Sequence, residues 1–217
     1  MKKAILFAFI IYHAAFIICS AQHTNLPDRQ ADIDSLWGVW NDNTFPDTTQ
    51  LMAMNKIAWI GYLFSQPDSA FYFAQIQYDL AEKKGLKKYM ALALNTQGVS
   101  IKLRGEFPKA LHYFHRCLKI FDEIDDKKGL ANILSNMGVI YSTQGDYSKA
   151  LDYYQKSLKM HEEMGHKIGI ARVLINIGNI YADQSNDPKS LEYYQPGLKM
   201  AEEIGNKLVI ANALGNI

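Results

Sequence analysis

Gly98, Gly138 and Gly178 stand forty residues apart, and the text that follows each is nearly the same: GVSIKLRGEFPKAL, GVIYSTQGDYSKAL and GNIYADQSNDPKSL. A fixed period of this length marks an array of identical supersecondary units, none of which buries its apolar face alone. Moving back one more period aligns Ala70, Phe71, Phe73 and Leu80 with Ala110, Leu111, Tyr113 and Ile120. A degenerate copy therefore precedes the three clear ones.

Inside each unit the apolar residues recur at helical spacing. In the third clear copy Ile168, Ala171, Leu174, Ile175, Gly178 and Tyr181 form one amphipathic stripe, and Leu191, Tyr194, Leu198 and Met200 form a second. Between them Asp187 is expected to cap the second helix, with Pro188 at its first position. Gly85, Gly165 and Gly205 read as helix-ending glycines. Each unit is thus a helical hairpin, and the fold class is all-α, a solenoid of stacked hairpins. Pro196 interrupts the second helix of the last full unit, where an interior proline costs about 3 kcal/mol, so a bend or a frayed segment is expected there.

These residues resemble the tetratricopeptide repeat in its long variant of about forty residues. The likeness is carried by Asn136 to Tyr141, by Gly145 to Tyr154 with Ser157 and Leu158, and by their echoes at Asn176 to Tyr181 and Leu191 to Tyr194. It divides the chain into hairpins at residues 87–126, 127–166 and 167–206, a degenerate one at 48–86, and the start of a further one at 207–217. Leu208, Leu214 and Ile217 are then left without a covering hairpin.

The N-terminus differs in character. Lys2 and Lys3, an uncharged run from Ala4 to Ile18 and then Cys19-Ser20-Ala21 have the layout of a secretory signal peptide cleaved after Ala21. Such a leader predicts export to the periplasm or beyond. The same run is at the lower limit of length for a bilayer span, so a membrane anchor is the alternative; Ile18 before Cys19 argues against lipidation. Without the leader the chain keeps 21 basic and 22 acidic residues, a formal charge of −1, which offers no footprint for nucleic acid. Cys117 alone then remains, so no intrachain disulfide is available. Residues 22–47 read as a linker followed by an N-terminal cap; Trp37 and Trp40 either pack on the first hairpin or line a ligand pocket.

The resemblance implies that the first helix of each hairpin faces a concave groove. Asn132, Ser135, Asn136, Val139 and Thr143 then share one inward stripe, followed by Arg172, Ile175, Asn176, Asn179 and Asp183, with Asn212 and Asn216 in the partial unit. The candidate groove residues are Asn132, Ser135, Asn136, Arg172, Asn176, Asn179, Asn212 and Asn216. A carboxamide both donates and accepts, so a row of them can hold the backbone of an extended peptide. Family members use asparagines at the places of Asn136 and Asn176 in this way. The alternative is that these two amides bond to the neighbouring hairpin and keep the stack in register. A subgroup clamps C-terminal carboxylates with paired cations; Arg172 is the one cation in the stripe, too few for that mode.

Catalytic chemistry finds little support. His112, His115 and Cys117 correspond to Asp152, Gln155 and Ser157 in the next unit, which marks the two histidines as a solvated helix face rather than metal ligands. Acidic pairs such as Asp122-Glu123 and Glu202-Glu203 sit beside Lys127 and Lys207, a surface with local charge pairing. The expected function is a non-enzymatic scaffold that needs no cofactor and binds a protein or peptide. Self-association through the exposed last unit is a further possibility. The alternative is the sensory front of a longer signalling protein, since long repeats behind a signal sequence resemble the leading segments of bacterial sensor histidine kinases, nucleotide cyclases and helix-turn-helix regulators.

Overall fold

The structure, a computed structural model, describes the backbone of residues 27–216 and the side chains of residues 31–215. The predicted signal peptide and Ile217 lie outside these bounds. Ten helices follow one another: α1 Pro27–Asn41, α2 Asp47–Lys56, α3 Pro67–Lys83, α4 Lys87–Leu103, α5 Phe107–Glu123, α6 Lys127–Thr143, α7 Tyr147–Glu163, α8 Lys167–Asp183, α9 Asp187–Glu203 and α10 Lys207–Asn216. From α4 onward the period is forty residues, with seventeen-residue helices up to α9. Helix α2 runs into a π-helical stretch, Ile57–Tyr62, where Ile33 of α1 presses to 3.3 Å of where a side chain on Gly61 would begin.

The three hairpins from α4 to α9 close by one device. A Cβ added to Gly98, Gly138 or Gly178 would fall 2.6, 2.6 or 2.5 Å from the ring of Phe114, Tyr154 or Tyr194. The ring lies on the bare backbone of the first helix, so the two helices approach closely and the aromatic side chain is almost wholly buried. Successive hairpins join the same way, with Phe121 on Gly129 and His161 on Gly169. One turn further along the second helix, Cys117 Sγ donates to Ala91 O at 3.1 Å and Ser157 Oγ to Ala131 O at 2.7 Å. Gly197 takes that place in α9, its Cβ position 3.2 Å from Ala171 O.

First helices of consecutive hairpins also touch one another, α2 with α4, α4 with α6, α6 with α8 and α8 with α10, which sets them on the inner side of the curve. From α3 onward the turns between helices use one left-handed residue each. Gly105 and Gly145 supply it at φ 78° and 77°, and where glycine is missing Asp125 and Ser185 accept φ 51° and 55°.

Several expectations change. The cap of α9 is Asn186, whose side chain accepts from Lys189 N, because Asp187 already lies inside the helix. Pro196 does not break α9: it sits exposed on the outer face, and the following Gly197 is held against Leu174 and Ile175 of α8. Residues 27–30 are helical instead of linker, since α1 is a fifteen-residue helix and not a single turn. Trp37 and Trp40 pack on the first hairpin, Trp37 edge-on to Phe73 at 5.4 Å. The acidic pairs are not matched locally: Glu123 binds Lys87 and Glu203 binds Lys167, at 3.0 and 3.2 Å, bridging the two helices of one hairpin. Leu208 and Leu214 of α10 are 72% and 58% exposed.

His161 is the odd member of the ring series. Its Nδ1 lies 3.2 Å from Nδ1 of His166, so one ring must donate and the other accept. Burial, then the charges of His166, Arg172 and Lys128, hold His161 down to about 4, and His166 is lowered by burial, Lys128 and Arg172. Since the folded state resists a proton that the unfolded chain takes up near pH 6.5, stability is complete above that pH and drains away as pH falls toward 4. The loss over that interval is about 3 kcal/mol.

Three outcomes follow from this packing. Melting temperature measured from pH 7 to 4.5 falls steeply in the native chain and much less in His161→Phe, which copies Phe121. Gly138→Ala costs about 2–3 kcal/mol through overpacking, and Tyr154→Ala in the same chain relieves part of that cost, as a chemical-denaturation double-mutant cycle will record. Pro196→Lys, the residue of the preceding unit, raises thermal stability by up to about 3 kcal/mol.

Candidate functional site

The inner faces of α6, α8 and α10 enclose two adjoining cavities of ≈ 400 and ≈ 410 Å³. Val139, Asn176 and Asn179 line both, so the two form one groove. The steps from Asn136 to Val139 to Thr143, and from Arg172 to Asn176 to Asn179 to Asp183, are alternately three and four residues, which keeps each set on one helix face. The flank of this face carries Ile133, Ile140, Val173 and Ile180, all buried in the stack.

Asn136, Arg172, Asn176, Asn179 and Asn212 line the groove. Asn132 is half-buried on α6 without lining either cavity, and Ser135 is 6% exposed, turned into the stack. Asn216 ends α10, and its side chain lies outside the described residues.

The amides divide by what they bind. Asn136 Nδ2 donates to Asn95 Oδ1 at 3.0 Å, across to the preceding hairpin. One period earlier Asn55 Nδ2 reaches Thr96 Oγ1 at 3.4 Å and Gln77 Oε1 at 3.3 Å. The Asn55–Thr96 and Asn136–Asn95 bonds each span forty-one residues and tie equivalent places of consecutive units. The next rung would join Ser135 to Asn176, and no such bond forms, so the Asn176 carboxamide faces the groove without a protein partner. Asn179 is fixed from behind, because the Tyr194 hydroxyl donates to its Oδ1 at 2.8 Å.

The groove also holds a second cation. Lys102, from the last turn of α4, lines the same cavity as Arg172. Burial, and after it the charge of Arg172, pushes the Lys102 ammonium below the usual lysine range; burial alone lowers Arg172. Arg172 remains open to solvent at its surface although protein surrounds it, the combination that a concave wall produces. The stripe read from sequence held one cation, and the structure corrects that to two. Lys102 lies three residues beyond Val99, the counterpart of Val139, at a place that Ser142 and Ala182 fill in the sister hairpins; all three line the groove, but the stripe read from sequence left this place out and only here is it charged. Asp183 supplies the carboxylate of the adjoining cavity and does not line that of Lys102 and Arg172.

Elsewhere, His112 and His115 are exposed on α5, whereas Cys117 is fully buried, its thiol pushed up by burial and bonded to Ala91. Among the described residues no group of three or more His, Cys, Asp or Glu side chains is placed to hold a metal ion, and no helix is long and apolar enough to cross a membrane.

Among curated proteins none matches this chain in sequence. Solved structures that share the architecture include the Rap conjugation gene regulator of the plasmid pLS20 in complex with the Phr* peptide. It is 15% identical, with TM-score 0.76 over 85% of this chain and 51% of that one. A Rap protein complexed with Competence and Sporulation Factor is 18% identical, TM-score 0.70, over 77% and 47%. BtubC from P. vanneervenii is 16% identical, TM-score 0.62, over 83% and 76%. The chain thus spans about half the length of these Rap proteins, and at such identities the likeness is one of fold. Residues 89–163 match the family model of the tetratricopeptide repeat. Residues 89–163 are therefore tetratricopeptide repeats, and hairpins of the same period and packing continue on both sides of them.

Proposed function

We propose that the groove of α6, α8 and α10 binds an extended segment of a partner protein, and that the chain acts as a scaffold without chemistry of its own. The observation that carries this reading is Asn176, an inward carboxamide shared by both cavities and left without a protein partner at the point where the inter-hairpin ladder stops. A carboxamide so placed can accept from one peptide N–H and donate to one peptide C=O, which holds backbone without reading side chains. Asn179, held by Tyr194, and Asn212 extend the row. The peptide complexes of two Rap proteins of the same fold lend support by analogy. With the export that residues 1–21 suggest, the partner would be met in the periplasm or outside the cell.

In this reading Asn136 and Asn176 do different work. Asn136→Ala removes the bond to Asn95 and lowers stability by about 1 kcal/mol. Asn176→Ala leaves the melting temperature unchanged and weakens binding of peptides selected on the native protein by about three- to tenfold, measured by fluorescence anisotropy. Unchanged affinity in Asn176→Ala would remove the groove from consideration.

A further inference from the structure

We infer that the groove selects peptides carrying an acidic side chain, whose carboxylate sits between Lys102 and Arg172. This rests on the peptide-binding reading above and adds to it the charge of the ligand.

Lys102 and Arg172 come from α4 and α8, with the intervening α6 contributing Asn136 between them, and all three side chains line one cavity. Two cations held in one concavity repel each other, and surrounding protein strips away part of the water that would screen them. On the surface Lys84, Lys87, Lys109, Lys149, Lys156 and Lys167 meet carboxylates within 3.2 Å. Lys102 and Arg172 do not, and no carboxylate is among the groups that act on either. Asp183, the carboxylate that lines the groove, belongs to the adjoining cavity. The concentration of positive charge is therefore left for a ligand, in a chain whose net formal charge is only +1. A carboxylate there accepts charge-assisted hydrogen bonds from the guanidinium fork and the ammonium while the amides beside it hold the peptide backbone.

The carboxylate is that of a side chain within the segment and not of its end. The two cavities are continuous through Asn176 and Asn179, so a chain lying on the amides runs past the cations toward Asp183 instead of stopping at them. Asp183 then repels a second acidic residue placed further along, which fixes the direction in which the segment lies.

The test uses decapeptides blocked by N-acetylation and C-terminal amidation, with Glu scanned through every position and Gln counterparts for each, against the full chain. Two variants take their residues from the sister hairpins and so preserve the fold: Lys102→Ser, as at Ser142, and Arg172→Asn, as at Asn132 and Asn212. The expected result is a Glu position worth about tenfold over Gln, weakened by added salt and abolished in either variant while neutral peptides still bind. Glu and Gln peptides binding alike overturns the inference and leaves peptide binding standing. Discrimination that appears only with unblocked C-termini also overturns it, by assigning the charge to the chain end. Binding of no peptide at all, blocked or unblocked, overturns the proposed function along with it.

Discussion

Everything in this stack depends on aromatic rings laid flat on glycine. At Gly98, Gly138 and Gly178 the first helix offers bare backbone, and Phe114, Tyr154 and Tyr194 of the second helix fill the space a methyl group would take. The contact needs no charge and, for Phe114, no hydrogen bond; it is close packing with the ring removed from water. Because the ring fixes how near the helices come, it also fixes how the first helices of successive hairpins meet, and hence the curvature that forms the groove. In the first hairpin Ala58 and Ala74 stand at the corresponding places, both fully buried, and solve the same volume problem with two small residues.

The polar residues of the inner face are divided between holding the stack and facing outward. Toward the N-terminal half Asn55, Thr96, Asn95 and Asn136 use their capacity on one another, and that inner wall is closed upon itself. Toward the C-terminal half the pattern lapses: Ser135 is too short and Ile175 too apolar to continue the ladder, so Asn176 is released into the groove. The opening of the site is thus a loss of register bonds at one place, compensated by apolar packing of Val173, Ile177 and Ile180 behind it.

Much of this was legible in the sequence. The period and the paired helical stripes follow from residue spacing alone, because a helical hairpin repeats its environment as faithfully as its text. The inward row of Asn136, Asn176, Asn179 and Asn212 was legible through the resemblance, which sets the first helix of each hairpin toward the groove. What escaped was set by geometry between units. Lys102 stands where the sister hairpins have the uncharged Ser142 and Ala182, at the edge of the stripe, and the Asn95 partner of Asn136 sits forty-one residues away in an adjacent copy. Pro196 was expected to disturb α9, but proline on an exposed face loses one hydrogen bond while the opposite face stays packed. Asn186 and Asp187 are both good caps, and only the helix boundary decides between them.

The joints between hairpins carry a consequence for how such a chain can grow. Across the joints two residues eight apart meet: Phe121 with Gly129 and His161 with Gly169 set a ring on glycine, Ala201 packs with Val209, and the corresponding places of the first joint hold Ala81 and Tyr89. Tandem copying of residues 127–166 would bring His161 onto a new Gly129, and the ring would find its glycine again. Copying residues 87–126 would drive Phe121 against Tyr89, and copying 167–206 would leave Ala201 facing Gly169 across a void. Gene duplication therefore has one unit here that can be multiplied without repair, and the array is elongated most readily from its middle.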